Sequence, residues 1–473
     1  MGLKRSILFC CFFSSFFWAN GQSYTLQQCI DYALEHNLTI KQSELNVELS
    51  KIGVNQSTMN LFPNLNGFAS NNYYYGRSID PNTNAFTTDQ VRSNSFSLSS
   101  SMSLFEGFQL QNTLKQSKLN YMASRYDLQK IRNDIALNVA TFYLQVLYNQ
   151  ELLKVTRDQK DATTVQRNRT ERLFEAGSLS KGNLLDMESQ LASDEVRLIT
   201  AQAQYDQAML SLKQLLELDT ARNFSIVEPV IESPQMNSSY SDVNAIYLTA
   251  LTNQPDIKSY EYRVKGAEKG LSIARGAISP RLSLTGSLST AYTTSKQKII
   301  GYVSGEPQII GFVLDTIPVY SSYGSETPVF GKTAFNDQLS DNLSKSVGFN
   351  LTVPLFNNWT THNGIKRAKI NLEQSQLNLL TAQKSLLKSI QQAVADAAAS
   401  YQKLIAGKKS VDALTESVNY NEQKYNLGLI STYDFLLAKN NLAKAQADLL
   451  QAKYDYIFRL KVLDFYQGKS LTF

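Results

Sequence analysis

Along residues 95–104, Phe96, Leu98, Met102 and Leu104 alternate with Ser95, Ser97, Ser99, Ser101 and Ser103. A period of two, with one apolar face and one hydroxyl-bearing face, predicts a β-strand. The pattern returns as Val347, Phe349, Leu351 and Val353 against Ser346, Gly348, Asn350 and Thr352. It returns again as Leu282, Leu284 and Leu288 against Ser283, Thr285, Ser287 and Ser289. A less regular fourth segment, Leu65 to Tyr75, ends in the cluster Tyr73-Tyr74-Tyr75. Strands are expected at about 64–76, 93–105, 281–292 and 344–356.

Elsewhere the period lengthens to seven. After Gly177, Leu184, Leu191, Leu198, Tyr205 and Leu212 recur every seventh residue. Met187, Ala201, Ala208 and Leu215 hold the position three further on, with Asp194 as the exception. After Gly428 the register repeats as Phe435, Leu442, Leu449, Tyr456 and Leu463, with Ala438, Ala445 and Ala452. A sustained heptad predicts left-handed coiled-coil packing, and the alanines allow close approach of backbones. Proline is absent from Asn82 to Glu228 and from Leu355 to Phe473. The run Gly107–Phe174, 68 residues without Pro or internal Gly, reads as one helix about 100 Å long. Gly177 and Gly428 each interrupt such a run and mark the turn of a long helical hairpin.

The plan occurs twice. Leu34, Ile40, Gly53 and Pro63 match Leu251, Ile257, Gly270 and Pro280 at an offset of 217. Leu104-Phe105, Gly177, Ser180 and Tyr205 match Leu355-Phe356, Gly428, Ser431 and Tyr456 at an offset of 251. The difference, 251 − 217 = 34, localises an insertion between Pro280 and Phe356. The expected organisation is a leader at 1–21, a first repeat at 22–222, a connector at 223–241 holding Pro229 and Pro234, and a second repeat at 242–473. The insertion, from about Tyr292 to Asp341, combines Gly, Ser, Tyr and Pro with apolar pairs such as Ile299-Ile300 and Ile309-Ile310, so a hairpin or cap is expected there.

Composition narrows the function. Lys4-Arg5, an apolar stretch from Ile7 to Trp18, and Ala19-Asn20-Gly21 form a secretory leader cut after Gly21. A lipid anchor is the rival reading, but Cys10 and Cys11 lie within the apolar stretch, and Cys29 follows Gln27-Gln28. Lys+Arg 46 against Asp+Glu 41 gives +5, two of these charges lying in the leader, which argues against a nucleic-acid surface. Three Cys and two His, His36 and His362, are too few for a Cys/His metal cage or His-based nucleophilic catalysis. No enzyme, cofactor or metal site is expected.

In an exported chain, strands of about ten residues with one apolar face fit an outer-membrane barrel, although a half-buried sheet has the same period. Four strands cannot close, since the smallest membrane barrels have about eight. An open sheet in lipid leaves its edge amides unsatisfied. The barrel must be shared between chains: a dimer gives eight strands with a filled interior, a trimer twelve with room for a pore. The fold class expected is mixed α+β, with a shared transmembrane barrel continued by coiled-coil helices. An exported trimeric coiled-coil adhesin or structural surface protein is the alternative. It would not normally repeat a unit of two strands and two long helices.

The tandem copies, Ala33-Leu-Glu-His-Asn37, Leu61-Phe-Pro63, Val353-Pro-Leu-Phe356 and the glycines Gly177 and Gly428 together resemble the TolC-like outer-membrane efflux proteins. The resemblance covers nearly the whole mature chain except the insertion. It implies a homotrimer with a twelve-stranded barrel in outer-membrane lipid and a helical periplasmic tunnel. It also implies an inner-membrane transporter and a periplasmic adaptor as partners. Under it, Ala176-Gly177-Ser178 and Leu427-Gly428-Leu429 are the adaptor-contacting tips. Tyr425 and Asp434 fit the periplasmic gate, an aromatic three before the glycine and an acid six after it. Two further gate carboxylates of the family are replaced here, by Leu437 and Asn183.

Overall fold

The computed structural model describes residues 22–79, 86–88, 90–219, 224–229, 240, 242–322, 324 and 326–469. The leader and most of the connector lie outside these residues. The chain divides into two compact units: one comprises the residues up to Ser50, Asn120–Val264 and the residues from Gln374, the other Lys51–Leu119 and Lys265–Glu373.

The first unit is helical. Strand β1 (Gln22–Tyr24) leads into α1 (Leu26–His36), which opens with a capping box between Thr25 and Gln28. Asn37 ends α1, and its Oδ1 accepts from the backbone N–H of Thr39 and of Ile40, starting α2 (Leu38–Met59). The long helices are α3 (Gln109–Glu175) and α4 (Lys181–Leu215) in the first copy, and α8 (Thr360–Asn426) and α9 (Thr432–Tyr466) in the second. Cys29, Ala33, Ile40, Val139, Tyr143, Leu147, Leu212 and Leu216 form the centre of the core. Burial pushes the Cys29 thiol up to about 12.

Two details differ from the sequence reading. The connector contains a strand, β6 (Phe224–Ile226), paired in parallel with β1. The Tyr143 hydroxyl donates to the carbonyl of Val227 just beyond it, at 2.5 Å. Asp194 is no exception to the heptad. It is buried like Met187, Ala201 and Ala208 on the same line, while Leu184, Leu191, Leu198 and Tyr205 are only half-buried. At the end of α4 the two lines exchange roles, with Leu212 buried and Leu215 half-buried.

The second unit is built on a sheet. Its strands are β2 (Asn66–Tyr74), β5 (Val91–Glu106), β7 (Arg281–Thr293) and β12 (Ser344–Thr352), all antiparallel in the order β12-β7-β5-β2. The short hairpin β3 (Arg77–Ile79) and β4 (Phe86–Thr88) joins β2 to β5. Phe96, Leu98 and Met102 pair with Thr290, Leu288 and Leu284, and Leu284 and Leu282 pair with Phe349 and Leu351. The apolar residues thus form one continuous face, and Val347, Phe349 and Leu351 on it are 66–79% exposed. On the opposite face Ser97, Ser99, Ser101 and Ser103 meet Ser289, Ser287, Thr285 and Ser283. β12 stops at Thr352, because Pro354 has no N–H to offer the ladder. In β5 the register shifts between Ser103 and Phe105, so Leu104 is the extra residue of a bulge that simple alternation cannot foresee.

Helices α5 (Val243–Asn253) and α6 (Pro255–Gly276) repeat α1 and α2 and lead to β7. Where β5 turns into α3, Gly107 and Phe108 both have positive φ, 59° and 61°. The equivalent pair in the second copy, Asn358 and Trp359, does the same at 52° and 61°. Gly107 also abuts the end of α6: a Cβ added there would lie 2.3 Å from the Gly276 carbonyl oxygen.

The insertion forms two antiparallel hairpins. β8 (Gln297–Ser304) pairs with β11 (Glu326–Lys332), and β9 (Ile309–Val313) with β10 (Ile317–Tyr320). Its base is fixed by α7 (Phe335–Asp341). β12 begins opposite Ser289, four residues short of the end of β7. The buried Gln338 takes the place of the missing strand there, accepting from the Thr293 N–H at 3.0 Å and donating to the Thr293 carbonyl at 2.9 Å. Asn342 Nδ2 donates to the Ala291 carbonyl at 2.6 Å.

Candidate functional site

The turns of the two helical hairpins, 177 and 428, carry the candidate residues. Both are Schellman motifs built around a left-handed glycine, φ 74° at Gly177 and 70° at Gly428. Ser178 N–H donates to the Leu173 carbonyl and Gly177 N–H to that of Phe174, both at 2.8 Å. Leu429 and Gly428 repeat the bonds to Lys424 and Tyr425 at 2.9 and 3.0 Å. Among the described residues, nothing lies within 4 Å of a Cβ built on either glycine. The sequence needs glycine here for its backbone conformation and not for space. Ala176, Gly177 and Ser178 are all exposed. Leu427 and Leu429 are 74% and 68% exposed, which makes the second turn far more apolar than the first.

Behind the turns the two hairpins are joined. Met187, Phe435 and Leu436 are buried together, with Tyr425 and Ile430 packed against them. The Tyr425 ring stacks on Phe435 with centroids 5.0 Å apart. Its hydroxyl lies 3.5 Å from Thr170 Oγ1 and 3.4 Å from Thr432 Oγ1, and Thr432 donates to Asn183 Oδ1 at 3.1 Å. Asn183 therefore ties α4 to α9. Asp434 is exposed and sits in the first turn of α9, where its Oδ2 accepts from the Ser431 hydroxyl at 2.7 Å and its N–H donates to that hydroxyl. That geometry caps the helix and puts the carboxylate at the positive end of its dipole. Of the two expected gate residues, Tyr425 belongs to the cluster joining the hairpins and Asp434 to the helix cap. Leu437 is half exposed.

A second polar layer lies deeper, and its partners are too distant in sequence for spacing to reveal. Thr163 Oγ1 donates to Asp194 Oδ2 at 2.6 Å and accepts from Lys439 Nζ at 2.9 Å. Gln190 Nε2 donates to Asp194 Oδ1 at 2.9 Å, and Arg197 reaches Asn440 Oδ1 at 3.0 Å. Burial lowers the Lys439 pKa, opposed by the charges of Asp194 and Glu422. Between the two layers Gln166 is buried, and its Nε2 has no hydrogen-bond partner among the described residues. The sole sequence signal for this layer was the Asp at position 194.

Among the described residues, no group of His, Cys, Asp and Glu could hold a metal ion, and no helix is long and apolar enough to cross a membrane. The membrane-compatible surface is the apolar face of the sheet. A sheet with one apolar and one hydroxyl face, in a chain with paired long helical hairpins, defines an outer-membrane channel subunit.

The outer membrane efflux protein family model matches residues 29–217 and 246–468. The chain belongs to that family. It is 22% identical over 452 residues to the toxin and drug export protein A of Aggregatibacter actinomycetemcomitans, covering 93% of this chain and 85% of that one. It is 22% identical to the outer membrane protein TolC of Escherichia coli over 92% of this chain and 80% of that one. The fold matches the CusC channel with a TM-score of 0.76 at 19% identity, over 94% and 92% of the two chains. Two matched segments agree with the tandem organisation, and family members are channels of the outer membrane. Membership sets aside the adhesin alternative.

Proposed function

We propose that three copies of the chain close their sheets into one twelve-stranded barrel that continues into a helical duct. Substrates delivered by an inner-membrane transporter leave through it, with a periplasmic adaptor joining the two. The observation that carries this reading is the pair of sheet edges. Among the described residues β2 and β12 each have a single neighbour, and each is nine residues long. Matched edges of opposite ends favour head-to-tail pairing that closes a ring. Eight strands from two copies would leave an interior filled by side chains, and twelve leave a pore. Mass measurement of the detergent-solubilised protein is expected to give three mature chains; a stable monomer overturns the reading.

In this trimer the turns at Ala176-Gly177-Ser178 and Leu427-Gly428-Leu429 contact the adaptor, and the insertion hairpins cap the outer mouth. Tyr425 and Asp434 form the periplasmic gate. Asp434→Asn keeps an acceptor for the Ser431 hydroxyl, so the helix loses less than about 1 kcal/mol. It removes up to three negative charges, one per chain, from the proposed gate. Cation preference and block by multivalent cations in planar bilayers are expected to fall, most clearly at low salt. Tyr425→Ala, which removes the stack on Phe435, is expected to raise conductance. Unchanged selectivity in Asp434→Asn would put the filter elsewhere.

A further inference from the structure

The internal duplication can be checked against the observed strand pairing, and it then specifies a pairing that a single chain does not contain. Within the first copy, Ser99 of β5 lies opposite Asn66 of β2. Adding the two repeat offsets, 251 to the first residue and 217 to the second, gives Asn350 opposite Ser283. That is the observed register of β12 on β7. The hairpins of the two copies therefore superpose without slippage, although few of their residues are identical.

The two copies meet at β5 and β7, where Ser97, Ser99 and Ser101 lie opposite Ser289, Ser287 and Thr285. The equivalent of β5 is β12, and the equivalent of β7 is β2, but these are the free edges of the sheet. Resting on the trimeric reading above, we propose that neighbouring copies pair β12 with β2 in the register set by β5 and β7. Gly348 then lies opposite the partner's Asn72, Asn350 opposite the partner's Ser70, and Thr352 opposite the partner's Phe68. Between these rows, Val347 and Phe349 lie opposite the partner's Tyr73 and Asn71.

The faces agree independently. Gly348, Asn350 and Thr352 belong to the hydroxyl side of the sheet, through their pairing with Thr285, Ser283 and Arg281. Ser70 and Asn72 belong to the same side, through Ser95 and Ser93. Val347 and Phe349 carry the apolar face, as do Ala69 and Tyr73, paired with Phe96 and Arg92. A slip of one residue would put every side chain of one strand on the wrong side, so only even slips compete with the proposed register. The proposed pairing spans seven rows within both strands, from Ser346 with the partner's Tyr74 to Thr352 with the partner's Phe68. On this side of the seam Phe68 stands at one end of the seven rows and Tyr74 at the other.

Cysteine pairs in the full-length protein test the register. Residues directly opposite bring their Cβ atoms within disulfide reach, whereas a shift of two residues moves them to about 7–8 Å. Asn350→Cys combined with Ser70→Cys is expected to give covalent dimers and trimers on non-reducing gels after mild oxidation, collapsing to monomer on reduction. Asn350→Cys with Asn72→Cys, two residues off, is expected to give at least fivefold less, and each single variant none. The native Cys29 is fully buried and stays out of the reaction. Preferential cross-linking of the offset pair overturns the register, as does the absence of cross-links from both pairs in a protein whose mass is trimeric. A monomeric mass would instead defeat the trimeric reading itself, so the two failures are distinguishable.

Discussion

Replacing Gly428 by valine is expected to abolish export while the trimer accumulates at its normal level. At φ 70° a β-branched side chain costs roughly 1–2 kcal/mol, yet a Cβ there meets nothing within 4 Å. The penalty therefore falls on the turn alone, which either distorts or frays. Leu427 and Leu429, the most exposed apolar residues of the turn, change direction with it. If they are the surface the adaptor grips, export of a pump substrate falls tenfold or more. Asparagine tolerates the left-handed region, so Gly428→Asn is expected to retain most of the export. Export of the valine variant at the wild-type rate would remove the adaptor role from this turn.

The opposite outcome is expected at Gly107. It shares the positive φ, but a Cβ there would lie 2.3 Å from the Gly276 carbonyl oxygen and 2.6 Å from Ser279 Cβ. Backbone cannot step aside as a flexible side chain can. Gly107→Val must separate the end of α6 from the start of α3, at a cost of about 3 kcal/mol or more from overpacking and backbone strain together. The level of folded trimer in outer-membrane fractions is expected to fall at least tenfold. Gly53→Ala is the control: it lies in α2 with nothing within 4 Å of the added methyl, and it should leave the level unchanged or slightly raised. Normal assembly of Gly107→Val would mean the close approach is dispensable.

Much of the architecture was legible because its signals are periodic. Serine alternating with Phe and Leu marks a two-faced sheet, and a proline-free heptad marks long helices. Doubling of both marks a tandem repeat. What escaped depends on contacts between distant residues. The bulge at Leu104 follows from the register against Leu282 and Ser283, which the alternation of one strand cannot contain. β6 is only three residues long and gains its partner from the other end of the repeat. Asp194 broke the heptad on inspection, but Thr163 and Lys439, which make its burial tolerable, lie 31 and 245 positions away. The site was legible only in part. The glycine turns declared themselves, whereas the capping role of Asp434 and the tie from Asn183 to Thr432 emerged from geometry.

The close approach of Gly107 and Gly276 has a counterpart that the duplication makes unequal. The same offsets carry Gly107 to Asn358 and Gly276 to Met59, so in the proposed trimer the matching junction between neighbouring copies has two side chains where the junction within a chain has none. In that trimer a ring of six similar hairpins would be only threefold symmetric, with joints free of side chains alternating with joints that carry them. The former lie where a covalent chain already delivers both sides to one another. At the others the two sides belong to separate chains and must first meet by diffusion.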